Sequence, residues 1–245
     1  GDAFVCERDE RGAMLIVCDG IGSGMYANIA AISCASRLKE LLDRGVSLRA
    51  AAEMVAASMH KAREAEIPFA AFSIAGIAPD GHFSAYAYES PEPIRIADGV
   101  AEALALEFYT AGYEVVGETS GLLEQGDSLL LFSDGVSQAG LGHGYAWGIG
   151  SAGVAAFINK ELAAGRRPDE LPVAVNTMSA AISGNRYEDD TTCALLHCRE
   201  AAQLTIVTGP PARAAKDGEY AAEFMARPGA KVVCGSTTTE IMARE

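Results

Sequence analysis

Three short segments set an aspartate at the edge of an apolar run: VCDGIGSG around Asp19, LLLFSDGVS around Asp134, and YEDDTTCALL around Asp189 and Asp190. Asp19 ends Met14–Cys18, Asp134 ends Leu129–Ser133, and Asp189-Asp190 precedes Thr191–Leu196. Each run reads as a buried strand, where an isolated charge is expensive. One Asp-Gly at a strand end is ordinary turn chemistry. Several acids at the ends of core strands instead suit a rigid frame around a hard divalent cation. A fold for this chain must therefore bring the ends of distant strands to one place.

The 245 residues suffice for one large domain, or one domain and a small appendage, and an apolar content of 49% supplies a core. No apolar run is long enough for a membrane span, and no secretory leader is visible, so a cytoplasmic protein is expected. The formal charge of −14 leaves no Lys/Arg stripe for nucleic acid. Cys6, Cys18, Cys34, Cys193, Cys198 and Cys234 are scattered, with no Cys-x-x-Cys pair. They read as reduced, buried thiols rather than disulfides or a zinc site. His197 beside Cys198 is the nearest to a zinc half-site, but on a strand Cys193 and Cys198 would face opposite ways.

Periodicity orders the elements. Ala3–Cys6 and Ala13–Cys18 form a hairpin whose second strand delivers Asp19. A helix over about Gly24–Arg44 follows, with Met25, Ile29, Ile32, Leu38, Leu41 and Leu42 as its apolar stripe. A second helix spans about Leu48–Glu64, with Ser47 as N-cap. Phe69–Ala78, His82–Tyr88, Pro93–Ala97, Leu104–Thr110, Tyr113–Val116 and Ser128–Ser133 read as an antiparallel meander. Helices over about Ser151–Ala164 and Pro168–Ser183 precede a closing strand, Thr191–Cys198. Beyond Arg199 the pattern becomes β-α-β-α (Leu204–Val207, Gly218–Ala226, Lys231–Cys234, Thr237–Ala243), and Thr237-x-x-Glu240 fits a capping box. This gives a first domain over 1–199 and a small α/β subdomain over 200–245. The chain begins at Gly1 rather than Met and stops within a helical pattern, so residues are expected beyond both ends.

With the motifs placed, the chain resembles the PPM-type metal-dependent Ser/Thr protein phosphatases, and more narrowly their bacterial SpoIIE-like branch. The resemblance covers about residues 1–199. It rests on Gly1-Asp2, Asp19-Gly20-x-Gly22-x-Gly24 opening a helix, Ser133-Asp134-Gly135-Val136, and Asp189-Asp190-x-Thr192 before a last strand, in that order. It implies an α+β fold, an α-β-β-α sandwich of two antiparallel sheets flanked by helix pairs, here with the small β-α-β-α appendage. It also implies two Mn²⁺ or Mg²⁺ ions at one end of the sandwich. Asp19 would bridge both, the Gly20 carbonyl would bind one, and Asp2 would support that first ion. Asp134 and Asp189 would hold the second. Asp190 would assist by hydrogen bonding or by binding a third ion, and the reverse assignment of Asp189 and Asp190 stays open. The implied reaction is hydrolysis of phosphoserine or phosphothreonine by a water bridging the two ions. The implied substrate is a bacterial regulatory phosphoprotein.

The histidine that eukaryotic members often carry after the first Asp-Gly is Ile21 here, and no phosphate-clamping arginine is evident. His143, in the glycine-rich loop Gly140–Gly148, is a candidate substrate contact, and that loop reads as a substrate-facing flap. Two other functions compete. A dinucleotide site fails because Met25 stands where the third glycine of Gly-x-Gly-x-x-Gly belongs and a helix, not a strand, follows. A catalytically inactive, phosphatase-like sensing or protein-binding module is the second alternative.

Overall fold

The computed structural model describes residues 1–22, 24–200 and 202–245. It comprises two compact units, Gly1–Arg199 and Glu200–Glu245. In the first, the hairpin β1 (Asp2–Asp9) and β2 (Gly12–Gly20) leads into α1 (Gly24–Asp43) and α2 (Leu48–Glu64). Seven strands follow, β3 (Ala70–Ile77), β4 (His82–Tyr88), β5 (Ile94–Ala97), β6 (Val100–Ala103), β7 (Glu107–Ala111), β8 (Glu114–Leu122) and β9 (Ser128–Phe132). They do not form the meander expected, because β8 pairs back onto β4 while β5, β6 and β9 belong to a second sheet. A single turn, α3 (Asp134–Ser137), then α4 (Gly150–Ala163), a 3₁₀ turn (Pro168–Glu170), α5 (Leu171–Ile182) and β10 (Cys193–His197) complete the unit.

All pairings in this unit are antiparallel, in a six-stranded sheet ordered β1-β2-β3-β4-β8-β7 and a four-stranded sheet ordered β10-β9-β5-β6. Side-chain alternation splits the core into three layers. Ile16, Cys18, Phe72, Ile74 and Tyr88 pack under α1 and α2. Leu15, Val17, Ala75, Phe83, Leu129 and Leu131 fill the space between the sheets. Ile94, Leu130 and Phe132 meet Val154, Ile158, Leu171 and Val175 of α4 and α5. This is the α-β-β-α sandwich expected.

Ser47 caps α2, accepting the Ala50 N–H. Two acids of β8 hold that helix to the sheet. Glu118 takes Arg49 (2.9 Å), and the buried Glu114 takes His60 (2.6 Å).

Several expectations need correction. The stripe read on α1 is only half right. Leu38 is fully buried, but Met25, Ile29 and Ile32 are exposed, and Ala27, Ala30, Ala31, Cys34 and Ala35 face the sheet instead. Small residues let the helix lie close on β2: a Cβ on Gly20 would come within 1.8 Å of the Ala27 carbonyl oxygen. The run Leu104–Thr110 is interrupted, with β6 ending at Ala103 and β7 starting at Glu107. Asp134 opens a helical turn rather than closing a strand. Cys6 and Cys234 are exposed, because both sit on strands with an open face.

The second unit pairs β11 (Leu204–Thr208) and β12 (Ala230–Cys234) in parallel, with α6 (Asp217–Ala226) between them and α7 (Ser236–Arg244) after. Asp217 and Arg244 tie the two helices together. The capping box read at Thr237 does not form. Gly235 is the N-cap, and the hydroxyl nearest it in use is that of Thr239, which donates to the Gly235 carbonyl. Among the described residues, no helix is long and apolar enough to cross a membrane.

Candidate metal centre

The hairpin register places Asp2 directly opposite Asp19, and on the other side of β2 Asp19 faces Ala71 of β3. Asp19 is thus held by strands on both flanks. Just beyond it, the Ile21 N–H donates to the Phe69 carbonyl (2.9 Å), fixing the turn that carries Gly20.

In the second sheet, β9 and β10 are registered with Phe132 opposite Cys193, so the segments around Asp134 and Asp189-Asp190 leave the sheet at the same end. Ser133 joins them. Its N–H donates to the Thr192 carbonyl and its hydroxyl accepts the Thr192 N–H (both 3.0 Å), while that hydroxyl also reaches the Asp190 carbonyl (3.4 Å). Gly135 backs onto the same place, where a Cβ would lie 2.2 Å from the Asp190 carbonyl oxygen.

The two sheets bring their acids together. Burial, and then the neighbouring carboxyls of Asp134 and Asp2, push the Asp19 carboxyl up to about 9. Both carboxylate oxygens of Asp2 and Oδ1 of Asp134 are buried without a hydrogen-bond partner. Oδ2 of Asp134 accepts from Gln138 (2.7 Å), one helical turn on. Among the described residues no three such side chains already enclose one point. Orphaned, buried carboxylate oxygens are the donor set that hard divalent ions take, so these residues fit such ions.

Asp189 and Asp190 differ in surroundings. The Asp190 carboxylate lies against the backbone nitrogen of Gly1. Asp189 accepts the Asp190 N–H with one oxygen (2.8 Å) and lines a groove of about 200 Å³. Gly135, Gln138, Leu141, Ser183 and Tyr187 also line that groove. His143 does not face the acids; its Nε2 lies 3.2 Å from Glu188, which also accepts from Arg186 (3.1 Å). A larger cleft of about 830 Å³, lined by Arg8, Leu48, Ile77 and Phe83 among others, opens at the far end of β2 and holds none of the motif acids.

Sequence reading gave no role to the Ser133 hydroxyl or to Gln138. The four-residue spacing of Asp134 and Gln138 would have revealed the second had the helical turn been foreseen. The first depends on a pairing between segments far apart in sequence.

The sequence model of a family described as Stage II sporulation protein E (SpoIIE) matches residues 9–199. Among curated proteins none matches. Among solved structures, the RsbU and RsbW domains of Rv1364c from Mycobacterium tuberculosis share 19% identity at a TM-score of 0.69. That alignment covers 92% of this chain and 64% of that one. The PP2C phosphatase domain and regulatory-domain fragment of SpoIIE from Bacillus subtilis share 17% at 0.65, over 79% of this chain and 57% of that one. RsbX in complex with magnesium shares 17% at 0.56, over 79% and 85%. At these identities the likeness is one of fold, and the chain spans less than two thirds of the first two structures.

Proposed function

The chain belongs to the SpoIIE family, and we propose that its unit 1–199 is a divalent-metal-dependent protein serine/threonine phosphatase acting on a bacterial regulatory phosphoprotein. The observation that supports this reading is that Asp19 interacts with both Asp134 and Asp2, whose carboxylate oxygens Oδ1 (Asp134) and Oδ1 and Oδ2 (Asp2) are buried without a hydrogen-bond partner. Asp2, Asp19 and the Gly20 carbonyl would hold one Mn²⁺ or Mg²⁺, and Asp19, Asp134 and Asp189 a second. Asp190 stands beside them, able to support a further ion. The chemistry such ions supply when bound is activation of water and compensation of charge on phosphoryl oxygens.

The chain's own residues do the rest. Strands β1 to β3 fix Asp2 and Asp19 on regular elements, whereas Asp189 and Asp190 lie in the irregular segment before β10. Ser133 and Gly135 hold the Asp134 turn against the Asp189-Asp190 segment, keeping the two acids in step. Gln138 occupies one oxygen of Asp134 and leaves the other for a cation. The groove beside Asp189 would admit the residue bearing the phosphate. His143, engaged by Glu188, is not assigned to the phosphate.

The test is hydrolysis of para-nitrophenyl phosphate and of a phosphothreonine peptide with Mn²⁺, with Mg²⁺ and with chelator. Turnover that requires metal is expected. A folded protein with no turnover under either metal would overturn the reading in favour of an inactive, protein-binding module.

A further inference from the structure

The glycine-rich segment Gly140–Gly148 is tied to the segment before Asp189 at two points. The Gly140 N–H donates to the hydroxyl of Ser183 (2.9 Å), a side chain only 3% exposed. Three residues on, His143 reaches Glu188 (3.2 Å), and its Cε1 lies so near Gly184 that a Cβ there would stand 3.2 Å from it. Gly184 has φ +73°, so the absence of a side chain serves both the backbone and the ring. The two ties bracket the groove. Leu141, Ser183, Tyr187, Glu188 and Asp189 all line it.

We propose that Ser183 and Glu188 form a two-point latch that sets the width of the substrate groove, making them positioning residues that determine which phosphoproteins reach the metal centre. This inference rests on the phosphatase reading above. An exposed ion pair alone contributes little, so the buried Ser183 tie carries the anchoring and the Glu188–His143 contact sets the position of the loop's tip. A small phosphate ester needs only the metal-binding acids. A phosphoprotein must also lay its flanking chain against Leu141 and Tyr187, and a loosened lining costs it pre-organisation. The latch therefore acts on substrate capture, not on the chemical step.

Hydrogen exchange tests the latch whether or not the protein turns over substrate. In the full chain, Ser183→Ala should raise exchange at the Gly140 amide and across 141–148 by about tenfold or more. Glu188→Ala should raise it at 142–145, and Glu188→Gln, which keeps an acceptor, should restore the native pattern. With a phosphothreonine peptide, Glu188→Ala should raise KM about five- to tenfold and change kcat less than about twofold, with Glu188→Gln again restoring it. Exchange unaltered in both alanine variants would overturn the proposal. So would equal losses on the peptide and on para-nitrophenyl phosphate, because that pattern belongs to a residue of the chemical step. Loss of all turnover in the native protein would instead count against the phosphatase reading, with the exchange result still deciding the latch.

Discussion

Asp2 and Asp19 are directly opposed across the β1–β2 hairpin, an acid against an acid in a pairing where like charges destabilise. Everything else in the hairpin is regular, so the juxtaposition is a local cost of folding that a bound cation would offset.

That cost should appear as a pH dependence. The Asp19 carboxyl is raised from 3.8 to about 9 in the fold, by burial and by Asp134 and Asp2. Between those values the unfolded chain has released the proton and the folded chain retains it, so metal-free stability should fall as pH rises through this window and level off above it. Chemical denaturation from pH 4 to 9 in chelator should show the decline, and excess Mn²⁺ should flatten it. A flat metal-free profile would sink the idea.

Asp19→Asn should act in opposite directions on stability and activity. Without the central carboxyl the fold no longer has to hold a proton that the unfolded chain has released, and the metal-free Tm at neutral pH should rise. Metal-dependent turnover should drop by more than about a hundredfold, since even outer residues of metal sites cost 10–100-fold. Calorimetry and a phosphatase assay on one preparation check both.

The two adjacent acids of the last motif should separate cleanly. Asp189 lines the groove and only one of its oxygens accepts the Asp190 N–H, whereas Asp190 is not among the residues that line it. Asp189→Asn should therefore weaken Mn²⁺ binding by about tenfold or more, and Asp190→Asn less. Titration calorimetry decides, and the reverse order would reassign the ligand.

Ser133→Ala removes the hydroxyl that accepts the Thr192 N–H inside the structure. A buried donor left without a partner costs about 1–3 kcal/mol, so a loss of that size is expected in urea denaturation. Metal affinity should fall with it, because the Asp134 turn and the Asp189-Asp190 segment lose their shared tie.

The two faces of α1 give a direct check on its packing. Ile29→Ser and Ile32→Ser should change stability by no more than about 0.5 kcal/mol. Leu38→Ala should cost about 2–5 kcal/mol. Similar losses at all three positions would mean that the helix sits differently on the sheet.

That helix also marks the limit of what could be read from sequence. Elements of one strong period were legible: α2, with its Ser47 cap, and strands β3, β4, β5 and β9 appear nearly where the pattern sets them. The pattern gives no sign of β6, however, and stops β8 at Val116, six residues short of its end at Leu122. On α1 the largest apolar residues suggested the wrong face, because close approach to β2 selects for alanine and cysteine, which a hydrophobicity pattern undervalues. The four motif segments were legible as motifs. Their mutual arrangement was not, since it depends on Ser133, on the Asp2–Asp19 register and on Ser183, contacts between parts of the chain that no local pattern links. At Thr237 a plausible cap gave way to Gly235, whose positive φ of 96° starts the helix two residues earlier than a capping box would.

The order of the strands in the two sheets has a consequence for synthesis. The acids come from the first two strands of the unit, from the turn after β9 and from the segment just before its last strand, β10, which lies at the edge of its sheet beside β9. A ribosome-bound chain would expose Asp2 and Asp19 early but could not complete their surroundings until β10 had emerged and docked. The cluster of acids would thus remain incomplete until the last strand of the unit had been made, whatever is translated after it.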